Sequence, residues 1–235
     1  MKNIIMVLLL AVLISGCSGG QNGNGVREPV GNEQGESKPK ISKLKIERIL
    51  SGHDQDNDGI DDLADIVAGG RAEALRKPGY VNAYYSGGYP PETEGVCTDV
   101  IWRAFKDAGY NIKELIDTDI SRNVGAYPRV EGRPEPNIDF RRVPNLVSFF
   151  QKYADIITND IEPNNTENLA LWQGGDIVVY GAPLWHIGII SDKRRDDGVP
   201  LLIHNGGPYA AENDMLLSWP SPIVYHFRFP KIDPR

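Results

Sequence analysis

Apolar residues change their spacing along this chain, and each change marks a different part. From Ile4 to Ile14 they form a run with few interruptions, behind one early charge, Lys2. From Ser18 to about Lys40 they show no period, and Gly, Asn, Glu, Ser and Pro dominate. Helical spacing then takes over. The stretch from Asp61 toward Arg76 predicts one helix. Ile101, Ala104, Phe105 and Ala108 predict a second, with Cys97 in its first turn and Gly109 as its stop. Leu146, Phe149, Phe150 and Tyr153, behind Pro144, predict a third with an ordinary core face. In the last third the pattern becomes that of strands: 177–180, 185–190, 200–205 and 223–229, separated by Gly- and Pro-rich turns. A helical N-terminal half and an antiparallel meander make an α+β fold.

Composition narrows the partners. The chain has 235 residues, 40% of them hydrophobic, enough for one core. Its net charge of −7 argues against nucleic acid as a partner and against a polybasic membrane anchor. There are two cysteines, Cys17 and Cys97, too few for a disulfide framework or a cysteine-rich zinc site.

The charged start, the short apolar run and Ser15-Gly16 before Cys17 form an export signal. Its tail, Leu13-Ile14-Ser15-Gly16-Cys17, resembles the bacterial lipobox. The resemblance implies that residues 1–16 are removed and that Cys17 carries lipid. The expected organisation is a flexible tether over 17–40, an N-terminal segment over 41–79 and the main domain over 80–235. The protein would sit in the cell envelope, membrane-anchored outside the cytoplasm, as a monomer.

With Cys17 lipidated, Cys97 is the remaining thiol. A helix N-terminus favours the thiolate, and a nucleophilic cysteine also needs a base. His186 opens a predicted strand and His204 ends another. His226, alternating with Tyr225 and Phe227, reads as structural, and Asp176 as a turn carboxylate. Gly95-Val96-Cys97-Thr98-Asp99, Gly175-Asp176-Ile177-Val178, His186-Ile187-Gly188-Ile189 and His204-Asn205 occur in that order. As an ordered set they resemble the NlpC and CHAP branch of papain-like cysteine peptidases. The stretch from about Tyr80 to Phe229 looks like a widespread bacterial domain of unknown function placed in that clan. The resemblance implies a papain-like, NlpC-type fold in which Cys97 is the nucleophile, His186 the base and His204 the group orienting it. The substrate would be an amide in peptidoglycan peptides, cut through a thioester. Asn205 is an alternative third group. Asp99 stands where better-known members have Gly and could face solvent or contact His186. Tyr84 or Tyr85 could join the Cys97 N–H as an oxyanion donor.

A second motif lies at 54–65. Asp54, Asp56, Asp58, Asp62 and Asp65 occupy the first, third, fifth, ninth and twelfth places, with Gly59 at the sixth and the Ile60 carbonyl at the seventh. This is calcium-loop spacing. It resembles the loops of dockerins and thrombospondin type 3 repeats, with Asp65 in place of the EF-hand Glu. A structural Ca2+ is expected, and no organic cofactor. Its competitor is a solvated acidic turn capping the next helix.

Two other functions compete with the hydrolase. One is a non-catalytic envelope module that keeps the fold and binds glycan or protein, favoured by Asp99 and the negative charge. The other is a zinc hydrolase using His186, His204 and a carboxylate, which no His-x-x-x-His or Cys-x-x-Cys spacing supports.

Overall fold

The computed structural model describes residues 44–231. The apolar run, Cys17 and the 17–40 tether lie outside the described residues. Among the described residues there are five α-helices: α1 (Asp62–Arg76), α2 (Cys97–Asp107), α3 (Ile112–Arg122), α4 (Val143–Tyr153) and the one-turn α5 (Thr166–Leu169). A short parallel pair, β1 (Gly79–Tyr80) and β2 (Glu94–Gly95), precedes α2. The main sheet contains β3 (Asp155–Ile156), β4 (Ile177–Tyr180), β5 (His186–Arg194), β6 (Pro200–Asn205), β7 (Ala210–Asn213) and β8 (Ile223–Arg228). Its order is β3-β8-β4-β5-β6-β7, with antiparallel neighbours throughout. The fold is therefore mixed α+β. No described helix is long and apolar enough to cross a membrane.

The expected meander holds from β4 through β6 and extends into β7. The fourth predicted strand departs from it. β8 crosses back and pairs with β4, Val178 opposite His226. That return joins residues almost fifty apart, so local pattern does not reveal it. β7 escapes prediction because Ala-Ala-Glu-Asn carries no apolar alternation; its backbone pairing with β6 makes it a strand.

Helices cover one face of the sheet. Ile66 and Val67 of α1 share a core with Val100, Ile101, Ala104 and Phe105 of α2 and with Ile187, Ile189 and Ile203. The 41–79 segment thus contributes to the same core as the residues that follow it. Close approach is achieved with glycine. A Cβ on Gly188 would lie 2.8 Å from Leu202 Cδ1 and 3.1 Å from the Ile203 carbonyl oxygen, so β5 admits β6 there only with hydrogen. Gly175, at φ +94°, makes the turn into β4, where a Cβ would meet the Leu63 carbonyl oxygen at 2.5 Å. The turn carboxylate Asp176 accepts two bonds from Arg228 and one from Gln173 N–H, beside His226. His226 stacks on Trp172 at 4.0 Å. Both therefore have structural partners.

Candidate active site

Cys97 is the first residue of α2. The helix cap at Val96 has no side-chain oxygen, so Asp99 closes the turn by accepting from Val96 N–H at 2.8 Å. The same carboxylate accepts from Trp102 Nε1 at 2.8 Å and from Arg141 Nε and Nη2, each at 2.8 Å. Four donors occupy a carboxylate with no exposed surface. Asp99 therefore meets neither solvent nor His186: it fixes the turn that bears Cys97. Arg103, paired with Glu73 of α1, donates to the Pro91 and Glu94 carbonyls and holds the preceding loop.

β5 and β6 bring the two histidines together. His186 Nε2 and His204 Nδ1 are 2.8 Å apart, with the rings almost perpendicular. His204 Nε2 lies 3.1 Å from Asn213 Oδ1 on β7. An amide oxygen only accepts, so His204 donates from Nε2 and its Nδ1 becomes an acceptor. His186 then donates from Nε2, and its Nδ1 keeps a free lone pair. Trp219 stacks on His186 at 3.8 Å and 14°. The ring is thus held in both tautomer and plane. Neither Asn213 nor Trp219 belongs to a sequence motif; the strand after His204 and the loop before β8 supply them.

His204 and Asn205 are neighbours on a strand, so their side chains take opposite faces. Asn205 donates to the Pro78 and Gly95 carbonyls, each at 3.2 Å, and ties the Cys97 loop to β6. His204, not Asn205, meets His186. Tyr85 donates to Glu94 at 2.7 Å and Tyr84 to Glu135, so both hydroxyls are engaged elsewhere. The tyrosine beside the thiol is Tyr80: burial pushes its phenol up, and Cys97 adds to the shift.

The helix N-terminus does not produce a resting thiolate. Burial pushes the Cys97 thiol up to about 11, against the N–H groups of Ile187, Thr98 and Cys97, which favour the thiolate. Among the described residues, the thiol makes no hydrogen bond to the His186 ring. Burial lowers His186 to about 3, with His204 adding to the shift, and burial lowers His204 as well. At neutral pH these shifts favour a neutral thiol and two neutral imidazoles.

These histidine shifts predict a pH dependence of stability. The unfolded chain takes the His186 proton near 6.5, the folded chain only near 3. Stability from this group is complete above pH 6.5 and is lost as pH falls toward 3. Urea midpoints measured from pH 7.5 to 4 should fall more steeply in the wild-type chain than in His186→Asn. Parallel curves would contradict the assignment.

A groove of about 620 Å³ opens beside His204, lined also by Gly206, Tyr209, Asn213 and Trp219 among others. Exposed Tyr80 and Trp185 neighbour these elements.

At the second motif, carboxylate oxygens of Asp54, Asp56 and Asp58 lie within 4.8 Å of one another. Among the described residues this is the one cluster of three or more metal-ligating side chains. Among the described residues, no third side chain joins His186 and His204 in such a cluster.

A helix-borne thiol facing the Ile187 N–H, and paired histidines on the same antiparallel sheet, describe the class of site. The chain itself belongs to the family described as Domain of unknown function (DUF1287), whose model matches residues 67–229. It is 38% identical over 156 residues to the Escherichia coli (strain K12) protein named "Uncharacterized protein YijF", covering 65% of this chain and 72% of that relative. No solved structure matches.

Proposed function

We propose that the protein is a cysteine hydrolase of the cell envelope, with a papain-like, NlpC-type arrangement, that cleaves an amide in peptidoglycan peptides. The observation that carries this reading is the chain Asn213–His204–His186, whose bonds leave the Nδ1 lone pair free on the strand residue preceding Ile187, whose N–H faces the Cys97 sulfur. His186 takes the thiol proton as sulfur attacks the carbonyl carbon. The oxyanion meets the Cys97 N–H, with the Tyr80 hydroxyl as a second donor. His186 then returns the proton to the leaving amine, and a thioester remains. Water, deprotonated by His186, releases the acid and restores the thiol. Lipid on Cys17 would hold the enzyme at the membrane, facing its substrate.

The test is digestion of purified peptidoglycan by the full chain and by Cys97→Ala. Release of muropeptides by the wild-type chain alone is expected; equal release by both would overturn the reading. His204→Ala should lower turnover about 100-fold with little change in KM, because the base loses its fixed tautomer while the groove remains. An unchanged turnover number would remove His204 from the apparatus.

The second reading is a non-catalytic binding module. The buried Cys97 thiol, held up to about 11, favours it. A thiol-directed activity probe separates the two: substrate-competed labelling of Cys97 supports the hydrolase, and no labelling of the folded chain supports the module.

A further inference from the structure

The acidic loop before α1 gathers carboxylate oxygens of Asp54, Asp56 and Asp58 within 4.8 Å of one another. Its backbone is already closed. Asp54 accepts from the N–H groups of Asp58 at 3.1 Å and Gly59 at 2.9 Å, and Asp58 accepts from Ile60 N–H at 2.8 Å. Gly59 turns at φ +91°. Asp61 leaves the loop to cap α1, accepting from Leu63 N–H, Gly52 N–H and the Ser51 hydroxyl. Asp62 is taken too: Oδ1 accepts from Gln55 N–H at 2.8 Å and Oδ2 from the Tyr110 hydroxyl.

Asp65 is the anomaly. It is 8% exposed, and its Oδ2 is the one buried side-chain oxygen or nitrogen without a hydrogen-bond partner among the described residues. An orphaned buried carboxylate oxygen is costly. Its charged neighbours include the carboxylates of Asp58, Asp56, Asp62 and Asp54. A satisfied acidic cap would not leave a buried carboxylate oxygen without a donor. A divalent cation among these carboxylates would add attractions that outweigh their mutual repulsion.

We infer that this loop binds a calcium ion through Asp54, Asp56, Asp58, the Ile60 carbonyl and Asp65, with water completing the shell, and that Asp62 serves as a strut and not as a direct ligand. Hard oxygen donors in a loop too open for strict octahedral geometry suit Ca2+ over Mg2+. The position gives the ion a mechanical role. A Cβ on Gly109 would lie 2.9 Å from Asp56 Cβ, so the loop rests on the α2–α3 turn, and Asp62 holds Tyr110 in that turn. Calcium would lock the residues preceding α1 against the far end of the helix that carries Cys97.

The experiment is calorimetric titration of chelator-treated full chain with CaCl2 and, separately, MgCl2, alongside thermal melting. One calcium per chain with Kd of roughly 10⁻⁵–10⁻³ M is expected. The melting temperature should rise by about 5–10 °C when calcium exceeds Kd a hundredfold. Asp65→Asn and Asp58→Asn should each bind at least tenfold more weakly. Without calcium, Asp65→Asn should melt no lower than wild type, because it removes a repelled charge; that result excludes simple misfolding. Absence of binding heat, equal response to Mg2+, or calcium affinity unchanged in both variants would overturn the inference. Peptidoglycan digestion plays no part in this test, so it stands or falls apart from the hydrolase reading.

Discussion

His186→Ala is expected to reduce turnover on peptidoglycan by about 1,000-fold or more while leaving Cys97 in place. The reason lies in the resting protonation states. Burial keeps the thiol up to about 11, so very little thiolate exists near pH 7 without a base to take the proton. An enzyme holding a preformed thiolate would lose less. Imidazole added to the His186→Ala variant should restore part of the rate if the space beside Trp219 admits it. A His186→Ala chain that digests peptidoglycan as fast as wild type would exclude His186 as the base.

Asp99→Ala is expected to be the most destabilising single change near the site. It leaves Arg141, itself buried, without its carboxylate, and leaves Val96 N–H and Trp102 Nε1 without an acceptor. Breaking a buried ion pair from one side costs about 3–5 kcal/mol. In a domain of this size that corresponds to a fall in melting temperature of roughly 6–20 °C. Asp99→Leu combined with Arg141→Met should recover part of the loss, since no charge is then stranded. Chemical denaturation of the single and double variants gives the coupling. A near-zero effect of Asp99→Ala would mean that the turn bearing Cys97 is held by other contacts.

Much of this site was legible because its residues sit on regular elements. Helical spacing from Ile101 to Ala108 placed Cys97 in a first turn. Strand patterns placed His186 and His204 at strand ends. The choice between His204 and Asn205 needed the sheet register, since adjacent strand residues face opposite ways and a sequence does not say which face meets β5. What stayed hidden was non-local. Arg141 reaches Asp99 across forty-two residues from a segment with no periodic pattern. Asn213 and Trp219 act through a polar strand and a loop. Tyr80 lies on a two-residue strand whose place is set by Pro208 and Gly95. The helix-dipole argument had the correct sign for Cys97 but the smaller magnitude, because desolvation depends on packing that only the fold reveals. In the acidic loop, spacing alone counts Asp62 among the ligands; only the fold shows its oxygens accepting from Gln55 N–H and the Tyr110 hydroxyl.

The claim on which the functional account turns is that Cys97 forms a covalent intermediate. Intact-mass spectrometry of the chain, quenched in acid during digestion of a cross-linked muropeptide, tests it directly. The account predicts an acyl adduct equal in mass to the retained peptide fragment, mapped to Cys97, released by hydroxylamine and absent from Cys97→Ala. Muropeptide turnover with an adduct on another residue, or adduct formation undiminished in Cys97→Ala, would contradict it.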